Sequence, residues 1–365
     1  MSADLVAVEL FAGAGGLSLG LEKAGFRVVL ANEIEQDFAS SFASNHPNTK
    51  VLDCDIRKID FQKEIKQIKV NKVDLVSGGP PCQGFSTVGS KNQLDHRNSL
   101  FYEYLRAVYE LQPSYVLFEN VSGFQKLYGG IAFRTLLQEL SCLGYETTTG
   151  IIDASDFGLP QIRKRTIIIG WKKTLSPVSL PEPTHGDSFS LFPKLDKLTI
   201  QDAISDLPPL ESGGTANFYA NEPQNSFQKL VRENCNHLTE HNCANYGARM
   251  QQILSMIPQG GSVLDLPEWL RPKNYFHNTY ARLVSDRPAP TITRNFGTPS
   301  SSRCIHPTQN RALSTREGAR LQGFPDSYQF IGSKSSKNLQ IGNAVPPILA
   351  EVVAKQIIIS IKKAL

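Results

Sequence analysis

The sequence is poor in cysteine and begins without an export signal. Its six cysteines, at positions 54, 82, 142, 235, 243 and 304 of 365 residues, lack the dense spacing of a disulfide scaffold. The first residues, MSADLVAVELFAG, carry an acid where a secretory signal carries basic residues, and their apolar run is too short to span a membrane. We therefore expect reduced thiols in a cytoplasmic protein without a membrane partner.

Neither sign of charge dominates, and no internal repeat is present. Lys and Arg total 38 against 34 for Asp and Glu, which leaves a formal net charge of +4. With 40% hydrophobic and 20% charged residues, the composition is typical of a soluble chain of one large or two unequal domains. The small positive excess is compatible with a polyanionic partner but does not identify one.

The first half of the chain alternates β-branched runs with segments of helical periodicity, which predicts a doubly wound α/β fold with a parallel sheet. From about 172 to 287 the chain is rich in Pro, Ser, Asn and Gly and predicts a smaller, mostly irregular domain. Helical periodicity returns near the C-terminus, so we expect the last helix to pack on the first domain. The predicted strands are 5–11, 28–33, 73–79, 115–121 and 165–171, and the predicted helices are 17–25, 36–45, 99–111, 132–144, 314–324 and 346–365.

A glycine-rich turn joins the first strand to the first helix in VELFAGAGGLSLG. Such a turn lets a ligand approach backbone at a helix N-terminus, although a turn needed only for packing is the alternative. Glu33 follows Gly13 by 20 residues, at the end of the next strand, where an acid can bind ribose hydroxyls. Ser18 replaces the third glycine of G-x-G-x-x-G, which favours an adenosine-bearing ligand without pyrophosphate over NAD. Asp55, after a third short strand, can bind an adenine amino group or cap a helix.

A lone thiol stands in GGPPCQGFS, between residues that shape a loop. The two prolines fix φ and the glycines permit close backbone approaches, which a cysteine buried only for packing does not need. Glu119, in FENV, ends another strand and is expected beside Cys82, as an acid beside a nucleophile. In QIRKR, Arg163 and Arg165 share one face if extended, and they either hold an anion and orient Glu119 or form a solvated basic stretch.

The motifs FAGAGG, GGPPCQGFS, FENV and QIRKR, in this order, resemble successive motifs of the cytosine-5 DNA methyltransferase family. RPAPTIT, HPTQNRALSTREGARLQGFPD and QIGNAVPP continue the order, so the resemblance covers nearly the whole chain except about 172–280. GGPPCQ departs from the Gly-Phe-Pro-Cys of many members. The resemblance implies the Rossmann-like fold of S-adenosylmethionine-dependent methyltransferases. It also implies methyl transfer to carbon 5 of cytosine in a specific double-stranded DNA sequence, with S-adenosylhomocysteine as product.

The same resemblance implies roles for individual residues. Cys82 is expected to attack carbon 6 of a flipped-out cytosine, and Glu119 to hydrogen-bond or protonate ring nitrogen 3. Arg163 and Arg165 are expected to support Glu119 and the pyrimidine oxygen. The loop with Gln83, Ser86 and Arg97 is expected to close over the DNA. The implied cofactor site comprises Phe11, Gly13, Gly15, Leu17, Glu33, Ile34, Asp55, Ile56, Pro80, Leu100, Asn343 and Val345; within it, Phe11 lies near the adenine, Glu33 binds ribose and Asp55 the adenine amino group.

The domain prediction follows from the same comparison of motifs. Residues 1–175 are expected to form the catalytic and cofactor-binding domain, 176–285 the target-recognition domain, and 286–365 a C-terminal segment. Arg249, Arg271 and Lys273 are candidate DNA contacts in the variable part. Four possible zinc ligands in NCNHLTEHNC (Cys235, His237, His241 and Cys243) have a spacing unlike the usual paired-cysteine sites, and we expect no metal.

Other functions remain open at this stage. A tRNA cytosine-5 methyltransferase of the same fold would differ in the variable region. A catalytically silent DNA-binding regulator would need a damaged nucleophile or cofactor motif, and both motifs are intact. A nicotinamide oxidoreductase is disfavoured by Ser18. The leading hypothesis is a monomeric bacterial enzyme acting on nucleoid DNA in the cytoplasm, as the modification partner of a restriction endonuclease.

Overall fold

The computed structural model describes residues 4–81, 99–186, 193–301 and 304–363, apart from the side chains of Ser99 and Tyr128. The chain forms two compact units. The first comprises Met1–Asp153, Lys164–Glu182 and Pro347–Leu365, and the second comprises Ala154–Arg163 and Pro183–Pro346. This division does not follow the bounds drawn at 175 and 285, because 154–163 and 286–346 pack with the second unit. The assignment of 176–285 to target recognition stays a prediction.

The first unit is built on a sheet of seven strands in the order β3-β2-β1-β4-β5-β7-β6. The strands are β1 (Leu5–Leu10), β2 (Phe26–Asn32), β3 (Lys50–Leu52), β4 (Leu75–Gly78), β5 (Tyr115–Val121), β6 (Tyr145–Asp153) and β7 (Lys164–Lys172). The order reverses between β1 and β4, and in such sheets ligands bind outside the carboxyl ends of the strands at this point. The α/β prediction is therefore confirmed.

The prediction of a purely parallel sheet is wrong for its last two strands. The strands from β1 to β5 pair in parallel, whereas β7 is antiparallel to both β5 and β6. β6 was not predicted, because its sequence YETTTGIID is half polar. Only two of its nine residues are buried. A strand at the sheet edge does not need the continuous apolar run that marks a central one.

Five helices belong to the first unit before its chain passes to the second. They are α1 (Gly16–Ala24), α2 (Gln36–Asn45), α3 (Phe61–Ile68), α4 (Ser99–Leu111) and α5 (Ile131–Cys142). Four of them match the predicted helices within one or two residues, and α3 was not predicted. Gly25 ends α1 at φ 110° and donates its N–H to the carbonyls of Glu22 and Leu21, as expected of a C-terminal glycine.

In the described residues of the second unit, five α-helices are joined by long irregular segments. They are α6 (Ile200–Ile204), α7 (Ser226–Val231), α8 (Ala248–Met256), α9 (Thr315–Leu321) and α10 (Lys334–Asn343). Ser333 accepts the N–H of Ser336 and is the N-cap of α10, a helix that was not predicted from the sequence. The apolar pattern of α10 is weak, which is why its helical period was not recognised.

Buried arginines hold the irregular segments of the second unit together. Arg320 binds the carboxylates of both Asp206 and Asp326, the latter at 2.6 Å. Arg311 binds Glu317 at 2.6 Å. Burial by itself raises the pKa of Glu317, but Arg311 more than offsets it, so the pKa lies well below its usual value. In the second unit, charge-assisted hydrogen bonds between arginines and carboxylates thus connect segments that are distant in sequence. In the first unit, strand pairing makes such connections.

The last helix, α11 (Pro347–Lys363), returns to the first unit, as predicted. By length and composition the segment Lys334–Lys363 could cross a membrane. Residues 344–346 are not helical, however, and they divide the segment into α10 and α11. Leu349, Val353 and Ile357 are buried, so α11 is a core helix that packs on α1.

The packing of α11 on α1 depends on Gly20. A Cβ added there lies 2.4 Å from Cβ of Ala350, 2.5 Å from the carbonyl oxygen of Pro347 and 2.7 Å from the nitrogen of Glu351. Gly20→Ala gains helix propensity of about 0.5–1 kcal/mol, but the overpacking against backbone costs about 1–3 kcal/mol. We expect a lower midpoint of thermal unfolding. Gly123→Ala is the control, because no atom lies within 4 Å of its added Cβ, and an equal loss in both variants would contradict the account.

A second prediction concerns Glu9, which is buried in β1 and accepts a hydrogen bond from Ser18 Oγ. Burial raises the pKa of Glu9 to about 8 from a usual 4.5. The folded protein therefore keeps this proton over a pH range in which the unfolded chain has released it, and stability falls as pH rises from about 5 to 8. Glu9→Gln removes this dependence.

The comparison that tests it is the urea midpoint of wild type and Glu9→Gln at pH 5.5 and 8.5. We expect the variant to gain stability relative to wild type at the higher pH. A difference that does not change with pH would show that Glu9 is already ionised in the folded protein.

Candidate active site

The glycine-rich turn leaves β1 through three left-handed residues. Phe11 has φ 56°, Gly13 φ 58° and Gly15 φ 94°, and Gly15 is the N-cap of α1. A Cβ added to Gly13 meets no atom within 4 Å, so backbone at this point borders open space. Open backbone at a helix N-terminus suits the approach of a ligand.

Glu33 connects this turn to the end of β2. Its carboxylate accepts the N–H of Gly13 at 2.8 Å and the N–H of Glu35 at 2.9 Å. Burial raises the pKa of Glu33, while these N–H groups favour its ionised form. Each carboxylate oxygen can accept more than one hydrogen bond, so Glu33 can both fix the turn and bind hydroxyls. The neighbouring Ile34 is 60% exposed and offers an apolar surface beside the acid.

Asp55 follows β3 and acts as the cap of the short helix Ile56–Lys58. It accepts the N–H of Arg57 at 3.0 Å and pairs with its guanidinium. These hydrogen bonds lower the pKa of Asp55 to about 2, so the group is a carboxylate at neutral pH. Asp55 therefore caps the short helix, which is one of the two roles expected from the sequence. Its contact with an adenine amino group stays a prediction.

Asn32 positions the Asp55 loop and was not recognised from the sequence. Its amide nitrogen donates to the carbonyl of Leu52 at 2.9 Å and to that of Cys54 at 2.8 Å. The side chain is buried, so these bonds order the loop beside the end of β2. The available signal was a lone amide at the end of the apolar strand FRVVLAN, directly before Glu33.

The remaining predicted cofactor residues fall into two groups. In the first unit, Leu17, Ile56 and Pro80 are buried and Leu100 is half-buried near the start of α4. In the second unit, Asn343 is the exposed last residue of α10, and the half-buried Val345 follows it. Their roles as cofactor contacts stay predictions. The open turn, the acid on β2 and the apolar Ile34 fit an adenosyl ligand, with the carboxylate for ribose hydroxyls and the apolar side chain for a base.

The structure brings together Glu119 and Arg165. Arg165 Nε lies 2.8 Å from Glu119 Oε1, and both side chains are nearly buried. The antiparallel register sets Glu119 opposite Ile167 and Arg165 opposite Val121. Arg165 therefore lies two residues from the partner of Glu119, on the same face of the sheet, where diagonal side chains meet.

Gly79 and Asn120 order the loop that leads to the thiol. A Cβ added to Gly79 would lie 2.9 Å from Glu119 Oε2 and 3.2 Å from its carbonyl oxygen, so this glycine leaves room for the acid. Asn120 donates to the carbonyl of Pro80 at 3.0 Å. The strand that carries Glu119 thus also holds Pro80, two residues before Cys82. Asn120 was missed, although its place beside Glu119 in FENV was the signal.

Cys82, Gln83, Ser86 and Arg97 lie outside the described residues. Their predicted roles as nucleophile and as members of the loop over the DNA stay predictions. The chain enters this segment through Pro81, which follows the Gly79 and Pro80 positions described above.

Arg163 has surroundings different from those expected. Its guanidinium is buried in the second unit and donates to the backbone carbonyls of Ile292, at 3.3 Å, Gly342, at 2.8 Å, and Ala344, at 2.9 Å. The expected shared face of two extended residues does not arise, because β7 begins at Lys164, after Arg163. These bonds give Arg163 a structural role, and its catalytic role stays a prediction.

The candidate DNA contacts and zinc ligands can also be placed. Arg271 donates to the carbonyls of Leu266, at 2.7 Å, and Leu264, at 2.8 Å, whereas Arg249 and Lys273 are exposed. Both ring nitrogens of His241 have partners, Ser314 Oγ at 2.9 Å and the carbonyl of Pro208 at 2.8 Å. Within the described ranges, no three His, Cys, Asp or Glu side chains form a cluster that could hold a metal.

Comparison with known proteins agrees with this geometry. The sequence profile of C-5 cytosine-specific DNA methylases matches residues 5–359. The Type II methyltransferase M1.HphI of Haemophilus parahaemolyticus is 34% identical over 97% of this chain and 87% of its own length. The Type II methyltransferase M.DdeI of Desulfomicrobium norvegicum is 34% identical over 96% of this chain and 88% of its own length.

Solved structures extend the comparison to the fold. A crystal structure from an E. coli prophage, described as that of a candidate DNA modification methyltransferase, has a TM-score of 0.80 and 28% identity, and it covers 98% of this chain and 100% of that one. The S. pombe Dnmt2 methyltransferase has a TM-score of 0.60 at 19% identity, over 98% and 99% of the two chains, and shares the fold. The tRNA alternative is not favoured by these relatives, and nothing among them supports an oxidoreductase.

The family membership predicted from the successive motifs is thus confirmed by a match over residues 5–359, a range that spans the variable stretch. Membership implies the use of S-adenosylmethionine and a DNA substrate. The chain belongs to the C-5 cytosine-specific DNA methylase family.

Proposed function

We propose that this chain methylates carbon 5 of a cytosine flipped out of a specific double-stranded DNA sequence, with Cys82 as the covalent nucleophile. The observation that supports it most directly is the Glu119–Arg165 pair, 2.8 Å apart across β5 and β7, since β5 also carries Asn120, which anchors the loop leading to Cys82. A thiolate, an acid and a cation at one sheet edge are what addition to a poor electrophile requires.

The first step makes carbon 5 nucleophilic. The Cys82 thiolate adds to carbon 6, the 5,6 double bond opens, and its electron pair moves toward carbon 5 and the N3–C4 part of the ring. Glu119 donates a hydrogen bond or proton to ring nitrogen 3, which stabilises the charge that develops there. A thiolate suits this role because it is strongly nucleophilic and also leaves readily afterwards.

Arg165 has two roles in this step. Its Nε holds one carboxylate oxygen of Glu119 and fixes the direction of the acid. Its Nη1 donates to the carbonyl of Lys164 at 2.9 Å, so Nη2 is the terminal nitrogen that supports the pyrimidine oxygen. Gly79 keeps the space beside Glu119 free of a side chain, so the acid stays where the ring must bind. Because the pair is nearly buried, its electrostatic interactions are stronger than in water.

The cofactor side uses the turn and the acids of the first unit. Bound S-adenosylmethionine supplies the methyl group for carbon 5. Glu33 binds ribose hydroxyls, Asp55 the adenine amino group, and Phe11 and Ile34 supply apolar surface. Contacts of Asn343 and Val345 with the cofactor are predictions from the family resemblance alone. After transfer, carbon 5 loses its proton to a base, the Cys82–carbon 6 bond breaks by β-elimination, and the aromatic ring and the thiolate are restored.

The biological context follows from the relatives. Because the two curated relatives compared above are Type II methyltransferases, we assign this chain to the modification side of a restriction system, with a cognate endonuclease that cuts the same unmethylated site. One flipped base needs one active site, so the enzyme acts as a monomer. Its DNA substrate places it in the cytoplasm. Unstacking costs a few kcal/mol, which closure of the loop with Gln83, Ser86 and Arg97 offsets.

The function is tested by transfer of labelled methyl groups from S-adenosylmethionine to unmethylated DNA and to tRNA. We expect label in DNA alone, at cytosines that bisulfite sequencing locates in one short sequence. Cys82→Ser is expected to reduce the rate to background, whereas Cys142→Ser, which alters an exposed cysteine, retains it. Label confined to tRNA, or full activity of Cys82→Ser, would falsify the proposal.

The role of Arg165 is tested by Arg165→Lys, which keeps the charge but loses the Nε contact with Glu119. Removing one donor of this kind costs roughly 10²–10³-fold in kcat, and we expect a loss in this range with little change in KM for DNA. Lys164→Arg is the control, since Lys164 is exposed on the neighbouring position. A change confined to KM would assign Arg165 to DNA binding instead.

A further inference from the structure

The second unit exposes five consecutive residues, 273–277, with the sequence KNYFH. Phe276 is 79% exposed and Tyr275 40% exposed. Contiguous exposed apolar surface is a mark of interaction sites. This stretch, the 273–277 segment, lies apart in sequence from every residue that the proposed chemistry uses.

The segment is held firmly at both ends. Before it, Arg271 donates to the carbonyls of Leu264 and Leu266. After it, the N–H of Thr279 donates to the carbonyl of Phe276 at 2.9 Å, and the N–H of Phe276 donates to Thr279 Oγ1 at 3.2 Å. Tyr280 is buried in an apolar cluster that includes Leu254. The exposed side chains are therefore presented from an ordered turn.

An open concavity of about 650 Å³ lies against the segment, lined by residues 272–276 together with Thr279, Tyr280 and Ser300. Its lining contains a cation, an amide, hydroxyls and aromatic rings but no acid. Throughout the part of the chain that the structure describes, the side chains of Lys273, Asn274 and His277 have no hydrogen-bond or ionic partner. These groups are available to a partner from outside.

The chemistry of the lining fits double-stranded DNA. A lysine without an acidic partner binds phosphate, an asparagine amide matches the donor and acceptor on the major-groove edge of adenine, and an exposed ring makes apolar contact with a thymine methyl group. Aromatic residues also occur in protein interfaces, but a free cation and amide beside them, without an acid, favour a polyanion.

We propose that the 273–277 segment is a DNA-reading element of this enzyme, in which Lys273 binds a backbone phosphate while Asn274 and Phe276 contact base edges in the major groove. The proposal rests on the proposed function and identifies which side chains set its sequence preference. Arg271 holds the element in place through its bonds to Leu264 and Leu266, and its predicted DNA contact stays a prediction.

The test compares Asn274→Ala, Phe276→Ala and Lys273→Gln with wild type on a duplex that carries the site mapped for the wild-type enzyme, and on a duplex without it. We expect Asn274→Ala and Phe276→Ala to weaken binding to the mapped site at least tenfold and to leave binding to the other duplex unchanged. Lys273→Gln is expected to weaken both equally and to reduce the slope of log K against log salt by about 1.

Phe218→Ala is the matched control, because Phe218 is 62% exposed in the same unit but does not line the concavity. Binding of S-adenosylmethionine, measured by calorimetry, and the unfolding midpoint are expected to stay at wild-type values in all four variants. Wild-type discrimination between the two duplexes by Asn274→Ala and Phe276→Ala would overturn the proposal, and so would equal losses in Phe276→Ala and Phe218→Ala. Absence of DNA methylation by the wild type is a separate result, which contradicts the proposed function itself.

Discussion

The antiparallel register between β5 and β7 is the constraint on which the candidate active site depends. Because Val121 pairs with Arg165 and Glu119 with Ile167, the acid and the guanidinium point to the same face. A shift of one residue would turn Arg165 to the other face and leave a nearly buried carboxylate without its cation, which costs several kcal/mol. The same strand pairing therefore sets both the sheet and the ion pair of the candidate active site in this part of the chain.

Small polar residues extend this constraint to the loops. Asn120 ties the end of β5 to Pro80, and Asn32 ties the end of β2 to the loop with Asp55. In each case an amide is next in sequence to an acid of the candidate site and bonds to backbone of a neighbouring loop. A side chain bonded in this way has few alternative positions, so the loops need no large apolar contacts to become ordered. Ser18 is comparable, since it replaces the expected glycine and donates to the buried Glu9.

The sequence was sufficient for the central strands and the successive motifs because these features are local. Strands such as β1 and β5 are buried on both faces and read as continuous apolar runs, and each motif places its own residues at a strand end. It was not sufficient for the direction of β7, for the edge strand β6 or for the surroundings of Arg163. These three features depend on which distant segment of the chain packs against each of them. For example, the carbonyls of Gly342 and Ala344 accept hydrogen bonds from the Arg163 guanidinium. The helix α10 was missed because its apolar periodicity is weak. Its N-cap at Ser333 was the clearer sequence signal.

The central claim, covalent activation of cytosine by Cys82, is tested most directly with DNA that carries 5-fluorocytosine at the target position. Fluorine at carbon 5 cannot leave as the proton does, so β-elimination stops after methyl transfer. The account predicts a protein–DNA adduct that survives denaturation, forms only with S-adenosylmethionine present, and maps to Cys82 by mass spectrometry of the digested protein. A turnover-competent enzyme that forms no adduct, or an adduct at another residue, would contradict it.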